Sequence, residues 1–116
     1  MKNKRLTLVM FVPLLVLVTL IFLGHKNAHA ESPSSASAVK IDNFSFTPAT
    51  TTVPVGTTVT WTNRDDVPHT VVSDDKIFKS KVLDTDEKFS YTFTKPGTYS
   101  YFCSVHPKMT AKIVVQ

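Results

Sequence analysis

A seven-residue stretch near the C-terminus, reading Cys-Ser-Val-His-Pro-Lys-Met from Cys103 to Met109, carries a thiol, an imidazole and a thioether. The spacing Cys-x-x-His-x-x-Met is short enough for one loop to bring all three side chains to a single point. A further imidazole, His69, lies 34 residues before Cys103. A fold that uses all four side chains must join two distant segments, and this requirement constrains the structure more than any other feature of the sequence.

The scarcity of these residue types favours a metal site. Beyond residue 30 the chain has two His, one Cys and one Met, and each is a member of the set. Taken singly, a lone Cys is usually a small buried hydrophobe and a Met usually fills core space. Two His and one Cys with a weak axial Met are typical of blue-copper electron-transfer centres. Zinc is the alternative metal, since it binds His and Cys readily, although Met is a poor fourth ligand for it.

Two flanking runs extend the pattern. Trp61-Thr62-Asn63 leads to Pro68-His69, and the run 97–102 leads directly into Cys103. Together with the loop, these runs resemble the cupredoxins, and the Cys-x-x-His-x-x-Met spacing is most similar to that of the amicyanins. The resemblance extends from Val39 to the C-terminus. It implies an all-β, Greek-key β-sandwich that holds one type 1 copper ion.

The ligand roles follow from the chemistry of such a site. We expect the Cys103 thiolate to supply the covalent Cu–S bond and His69 and His106 to be the other two strong ligands, in one plane with it. Met109 is expected to be the weak axial ligand. In the family the residue after the upstream His is commonly Asn, whereas this chain has Thr70. We expect the Thr70 hydroxyl to replace the amide more weakly as a link between the two ligand loops, with a shifted reduction potential as the consequence.

The resemblance also implies a partner surface. His106 is expected to be the solvent-side ligand, with an apolar docking patch around it for which the candidates are Val67, Pro68, Val105 and Pro107. The partners implied are redox proteins: a dehydrogenase or cytochrome as electron donor, and a cytochrome or oxidase as acceptor. Weak electron-transfer encounters use small interfaces, so a few such residues suffice for docking. We expect the protein to be a monomer.

The N-terminal 30 residues have the form of an export leader. Basic residues precede an apolar run of eighteen residues from Leu6 to Leu23, and Ala28-His29-Ala30 follows. This predicts a signal peptide at 1–30, cleaved after Ala30. The run also approaches the length of a membrane span, so an uncleaved anchor helix is the alternative. Either outcome predicts an extracytoplasmic protein, periplasmic or exported, that contacts a membrane only if the leader is uncleaved.

The rest of the chain predicts one small domain. Residues 31–38, reading ESPSSASA, are small and polar and are expected to form a flexible tether before a copper domain at 39–116. From Val39 the pattern is one of short alternating runs punctuated by Pro, Gly and Asn, as in all-β sandwiches. We expect strands over 39–46, 57–63, 69–73, 89–94 and 110–116, with a slip between the two apolar pairs of the first. After a turn at 95–97 we expect a further strand that carries Tyr99 and Tyr101 and ends at Cys103. An edge segment around Pro54 and a solvated connection over 74–88 complete the prediction.

Charge and motif content narrow the function. Residues 31–116 carry nine basic and nine acidic side chains, so no basic patch or stripe predicts a nucleic-acid partner. Four protein ligands leave no open metal position for a substrate, and both His beyond the leader are already used, so we expect no enzyme. The sequence predicts a single-electron carrier. The alternative is a copper-handling protein that stores or delivers the ion with the same ligands.

Overall fold

The computed structural model describes residues 35–116, which form an all-β sandwich, as the sequence predicts. The predicted leader at 1–30 and the first part of the predicted tether lie outside these residues. None of the elements described is a helix of the length and apolarity that a membrane crossing requires. Residues 35–116 contain eight strands: β1 Ala36–Asp42, β2 Ser45–Thr47, β3 Thr50–Val53, β4 Thr58–Asn63, β5 Val72–Ser73, β6 Lys88–Thr92, β7 Gly97–Phe102 and β8 Thr110–Val115.

The strands form two mixed four-stranded sheets, in the orders β2-β1-β4-β6 and β3-β8-β7-β5. The chain crosses between the sheets after β2, β3, β4, β5 and β6. Two pairs, β1 with β4 and β3 with β8, are parallel, and the other neighbours are antiparallel. Among the strands of the described segment β3 pairs only with β8, so the Pro54 segment follows an edge strand, where a residue without an N–H is tolerated.

The core lies between the sheets and is centred on Trp61, which is completely buried. Its ring centroid lies 5.5 to 6.5 Å from four other aromatic rings, those of Phe78, Phe89, Phe93 and Tyr101. Strand β4 supplies Trp61 and Val59 from alternate positions, so its inward face is apolar as the period-two pattern predicts. This core is the rigid frame against which the ends of β4 and β7 are fixed.

The first strand begins earlier than predicted. Ala36, Ser37 and Ala38 pair in parallel with Thr58, Val59 and Thr60 of β4, so they belong to the sheet and not to a flexible tether. A segment of small and polar residues has no apolar alternation, so its sequence does not predict this pairing. The pairing depends on backbone hydrogen bonds, which do not require particular side chains.

The predicted slip within 39–46 is a hairpin turn. Asp42 faces Ser45 across the β1–β2 pair, and the two residues between them, Asn43 and Phe44, have φ angles of 47° and 54°. Positive φ at both central positions defines a type I′ turn, whose twist matches that of the flanking strands. The turn places Phe44 at the end of the sandwich.

Two further predictions need correction. The expected strand over 69–73 is reduced to Val72–Ser73, and His69 makes only an isolated bridge to Leu83. The connection over 74–88 is not entirely solvated, because Phe78 and Leu83 are 4% and 1% exposed. Isolated apolar residues in a charged segment gave no periodic signal, yet they cover one side of the core.

Candidate metal centre

The four predicted ligands come from two loops at one end of the sandwich. His69 lies between β4 and β5, where its backbone exchanges two hydrogen bonds with Leu83, of 3.1 and 2.8 Å. Cys103, His106 and Met109 lie between β7 and β8. Because Leu83 is buried in the core, the backbone of His69 is fixed although it belongs to no regular strand.

The second loop is closed by its own backbone. The Cys103 N–H donates to the Met109 carbonyl at 3.0 Å, the His106 N–H to the Cys103 carbonyl at 3.2 Å, and the Met109 N–H to the His106 carbonyl at 2.9 Å. Pro107, whose ring fixes its own φ, lies at the bend. These hydrogen bonds and Pro107 brace the seven-residue loop from within.

The imidazoles and the thiol converge. The Cys103 sulfur lies 3.7 Å from Nδ1 of His69 and 3.9 Å from Nδ1 of His106, and the three donor atoms lie within 4.8 Å of one another. Cys103 and His69 are fully buried, Met109 is 6% exposed, and His106 is partly exposed. Three soft or borderline donors around one point, with one ring at the surface, suit a small transition-metal ion.

The environment of the thiol favours its ionised form. Burial raises the pKa of Cys103, but the N–H of Thr70 and the two imidazoles together outweigh it, and the pKa falls from 9.0 to about 6. The Thr70 N–H donates to the sulfur at 3.4 Å. Since the thiolate is the metal-binding form of cysteine, the loop presents its ligand ready for a cation near neutral pH.

Asp65 holds the outer edge of the buried imidazole, a role that the sequence analysis missed. Its Oδ2 lies 3.0 Å from Nε2 of His69, which leaves Nδ1 of that ring free for a metal. The same oxygen accepts the backbone N–H of Phe44 at 3.0 Å. The hydrogen bond from the Phe44 N–H, followed by that from His69, outweighs burial and lowers the pKa of Asp65 from 3.8 to about 2. A carboxylate behind a ligating imidazole orients the ring and raises its basicity.

Asn63 shapes the loop that carries Asp65. Its buried side-chain amide donates to the carbonyls of Val67 and Leu83, at 2.9 and 2.8 Å, and its Oδ1 accepts the Asp65 N–H at 2.9 Å. One side chain thus satisfies three backbone groups of an irregular segment. The run Trp61-Thr62-Asn63 was singled out in the sequence, but this role depends on contacts that only the folded loop provides.

Thr70 links the two ligand loops. Its Oγ1 accepts the Ser104 N–H at 2.7 Å and lies 2.7 Å from the Ser104 hydroxyl, while its own N–H points to the Cys103 sulfur. The hydroxyl therefore makes the connection that was expected of it. Its effect on potential remains a prediction.

Phe44 is the second residue that the sequence analysis missed. Its ring centroid lies 5.7 Å from that of His69 and 5.0 Å from that of His106, with an interplanar angle of 86° in both cases. The sequence did not predict this contact, since Phe44 is far from both loops along the chain. The nearest signal was the pair Asn43-Phe44, because Asn-Gly is the usual pair in a turn of this kind.

Comparisons with known proteins agree with this geometry. The family model for the cupredoxin-like domain matches residues 13–115. Amicyanin from Paracoccus denitrificans is 37% identical over 94 residues, which cover 77% of this chain and 72% of the relative. Amicyanin-alpha from Methylorubrum extorquens is 34% identical over 98 residues, covering 80% and 82%. A solved structure of a novel purple cupredoxin from Nitrosopumilus maritimus is 35% identical with a TM-score of 0.67, covering 69% of this chain and 99% of that one.

Proposed function

Because the chain belongs to the cupredoxin family, we propose that His69, Cys103, His106 and Met109 are the ligands of a single type 1 copper ion. The observation that carries the proposal is the convergence of three donors: the Cys103 sulfur lies 3.7 and 3.9 Å from the Nδ1 atoms of His69 and His106, and one donor atom from each residue lies within 4.8 Å of the others. These donors fit copper, since copper binds thiolate and imidazole strongly and takes a thioether as a weak axial ligand, whereas Met is a poor ligand for zinc.

The protein is a small copper protein that carries single electrons between redox partners, and it is not an enzyme. The bound ion supplies the Cu(II)/Cu(I) couple. The chain supplies a frame that stays nearly fixed: one loop is closed by its own backbone, the other is anchored on Leu83, and the Thr70 hydroxyl joins them. A site that moves little when the charge changes favours fast transfer.

His106 is the ligand through which we propose that electrons enter and leave. It is the one imidazole of the set with a solvent-exposed part. Apolar residues lie beside it in the chain: Val105, which is 47% exposed, and Pro107, which is also exposed; on the other loop Pro68 is exposed and Val67 partly exposed. A small apolar surface of this kind suits a transient redox partner.

The partners are redox proteins. We propose a dehydrogenase or a cytochrome as donor, a cytochrome or an oxidase as acceptor, and a monomeric carrier between them. The location is extracytoplasmic. We propose that residues 1–30 are the export signal that directs the chain to the periplasm or outside the cell, and that an uncleaved leader would make it membrane-anchored. N-terminal sequencing of the native protein separates the two cases.

The decisive experiment is the visible spectrum of protein purified from cells that express the full chain, loaded with Cu(II) and then treated with ascorbate. We expect an intense blue or purple thiolate-to-copper band that bleaches on reduction and returns on oxidation. The Cys103→Ser variant is the control and should lack the band. Copper binding without colour would overturn the proposal and favour copper storage or delivery, and preference for colourless zinc would favour a zinc site.

A further inference from the structure

Phe44 occupies a turn position that suits it poorly. In a type I′ turn both central residues take positive φ, and Asn-Gly is the preferred pair. Here Asn43 fills the first position well, but the second holds a bulky aromatic residue at a φ of 54°. A bulky residue with positive φ is a conformational outlier, and such outliers persist where the surrounding structure demands them.

Core packing does not explain the choice. Phe44 is 50% exposed, whereas Phe46, two residues later, is 4% exposed and packs edge-on against Tyr101. The Phe44 ring instead lies beside the two imidazoles of the proposed ligand set. Its contacts with the imidazoles of His69 and His106 are edge-on, the geometry that aromatic rings favour.

The backbone of the same turn is tied to the buried ligand. The Phe44 N–H and Nε2 of His69 share Oδ2 of Asp65, each at 3.0 Å. The β1–β2 turn therefore reaches His69 twice, once through its ring and once through the carboxylate. The turn also contacts His106, through the Phe44 ring. Within residues 35–116 the His106 imidazole makes no side-chain hydrogen bond outside its own loop, where its Nδ1 lies 3.9 Å from the Cys103 sulfur.

We propose that Phe44 is a positioning residue of the copper centre, and that the β1–β2 turn is a third element of the site beside the two ligand loops. The ring restricts rotation of the half-exposed His106 imidazole and, with Asp65, holds His69 in its ligating orientation. Glycine would suit the turn better, but it would leave His106 free to rotate. This inference rests on the proposed ligand set.

The test separates a positioning role from a role in stability. Glycine at position 44 should disturb the copper site but should not lower the stability of the metal-free fold. Phe44→Gly removes the ring and relieves the positive φ. Lys76→Gly is the matched control, since Lys76 is an exposed turn residue with a φ of 59° and is not in contact with the ligands. Both variants, made in the full chain, are expected to unfold in the metal-free state at or above the wild-type temperature.

The copper-loaded proteins then distinguish the roles. We expect Phe44→Gly to shift the visible band and the reduction potential and to broaden the EPR spectrum, while Lys76→Gly matches the wild type. Phe44→Tyr, which keeps the ring, should restore the wild-type spectrum, and Phe44→Leu provides a second test should the glycine variant fail to fold. A wild-type spectrum and potential in both Phe44→Gly and Phe44→Leu would overturn the inference. The absence of a coloured band in the wild type would instead overturn the proposed ligand set.

Discussion

The Thr70 hydroxyl accepts the backbone N–H of Ser104 at 2.7 Å and lies 2.7 Å from the Ser104 hydroxyl. This contact joins the loop of the buried imidazole to the loop of the thiolate, across 34 residues of sequence. The Thr70 hydroxyl therefore makes the link between the loops at the position for which the family resemblance implies an Asn amide. The Thr70 N–H completes the arrangement by donating to the Cys103 sulfur.

Thr70→Val tests this link, since valine keeps the shape and the backbone N–H but loses the hydroxyl. The Ser104 N–H then has no partner, and we expect the free energy of unfolding of the metal-free protein to fall by about 1–3 kcal/mol. The reduction potential should shift as well, because the loops lose their common anchor. Denaturant unfolding and voltammetry measure the two effects. Thr70→Ser keeps a hydroxyl, and equal results for the two variants would show that the link does not matter.

Asp65→Asn tests the carboxylate behind His69. The amide can still accept a hydrogen bond from Nε2 but has no charge to raise the basicity of the ring. Loss of such an outer partner typically lowers metal affinity by about 10–100-fold, and we expect Cu(II) affinity to fall within that range in a competition titration. The exposed carboxylate of Asp75, in the connection over 74–88, offers the control Asp75→Asn. The same loss of affinity in both variants would point to general surface charge and not to His69.

The metal-free protein should gain stability with rising pH over the range in which Cys103 ionises. The folded pKa of about 6 lies below the ordinary value of 9.0, so between these values the unfolded chain binds more protons than the folded one. The free energy of unfolding should therefore rise from pH 6 to pH 9, and this contribution is absent below pH 6. Denaturation of the wild type and of Cys103→Ala at several pH values isolates the effect. Parallel pH profiles would contradict it.

Copper should stabilise the fold strongly, because a ligand that binds only the folded state shifts the unfolding equilibrium by mass action. Free copper at a thousand times its dissociation constant adds about 4 kcal/mol. For a domain of this size each kcal/mol raises Tm by about 4–8 °C. Calorimetry with and without the ion measures the shift, and Cys103→Ala should lose most of it. Superimposable melting curves for the wild type would exclude the site.

Phe78→Ala tests whether the connection over 74–88 contributes to the core. It is 4% exposed and its ring centroid lies 5.6 Å from that of Trp61, so Phe78→Ala leaves a cavity in the core. We expect it to lower the free energy of unfolding by about 3–5 kcal/mol. Its neighbour Ile77 is 46% exposed, and Ile77→Ala should change stability by no more than about 0.5 kcal/mol. Similarly small losses of stability for the two variants would show that Phe78 is not part of the core and that the connection is solvated.

The sequence by itself determined the chemistry of this protein. The donors of the proposed ligand set are side chains of scarce types at a fixed spacing, and a seven-residue loop cannot place Cys103, His106 and Met109 far apart. The alternation of apolar and polar residues likewise determined the sandwich and the burial of Trp61, because a strand with period-two patterning has one face that must leave water.

Only the tertiary structure decided what surrounds the donors. Asp65, Asn63 and Phe44 act through backbone groups and ring edges brought together by the crossing of the chain between sheets, and no local pattern encodes such contacts. For the same reason the strand at Ala36–Ala38 and the burial of Phe78 could not be predicted: both depend on partners elsewhere in the chain. Local chemistry selects the donors, and the long-range packing of two sheets sets their orientation and the residues that hold them.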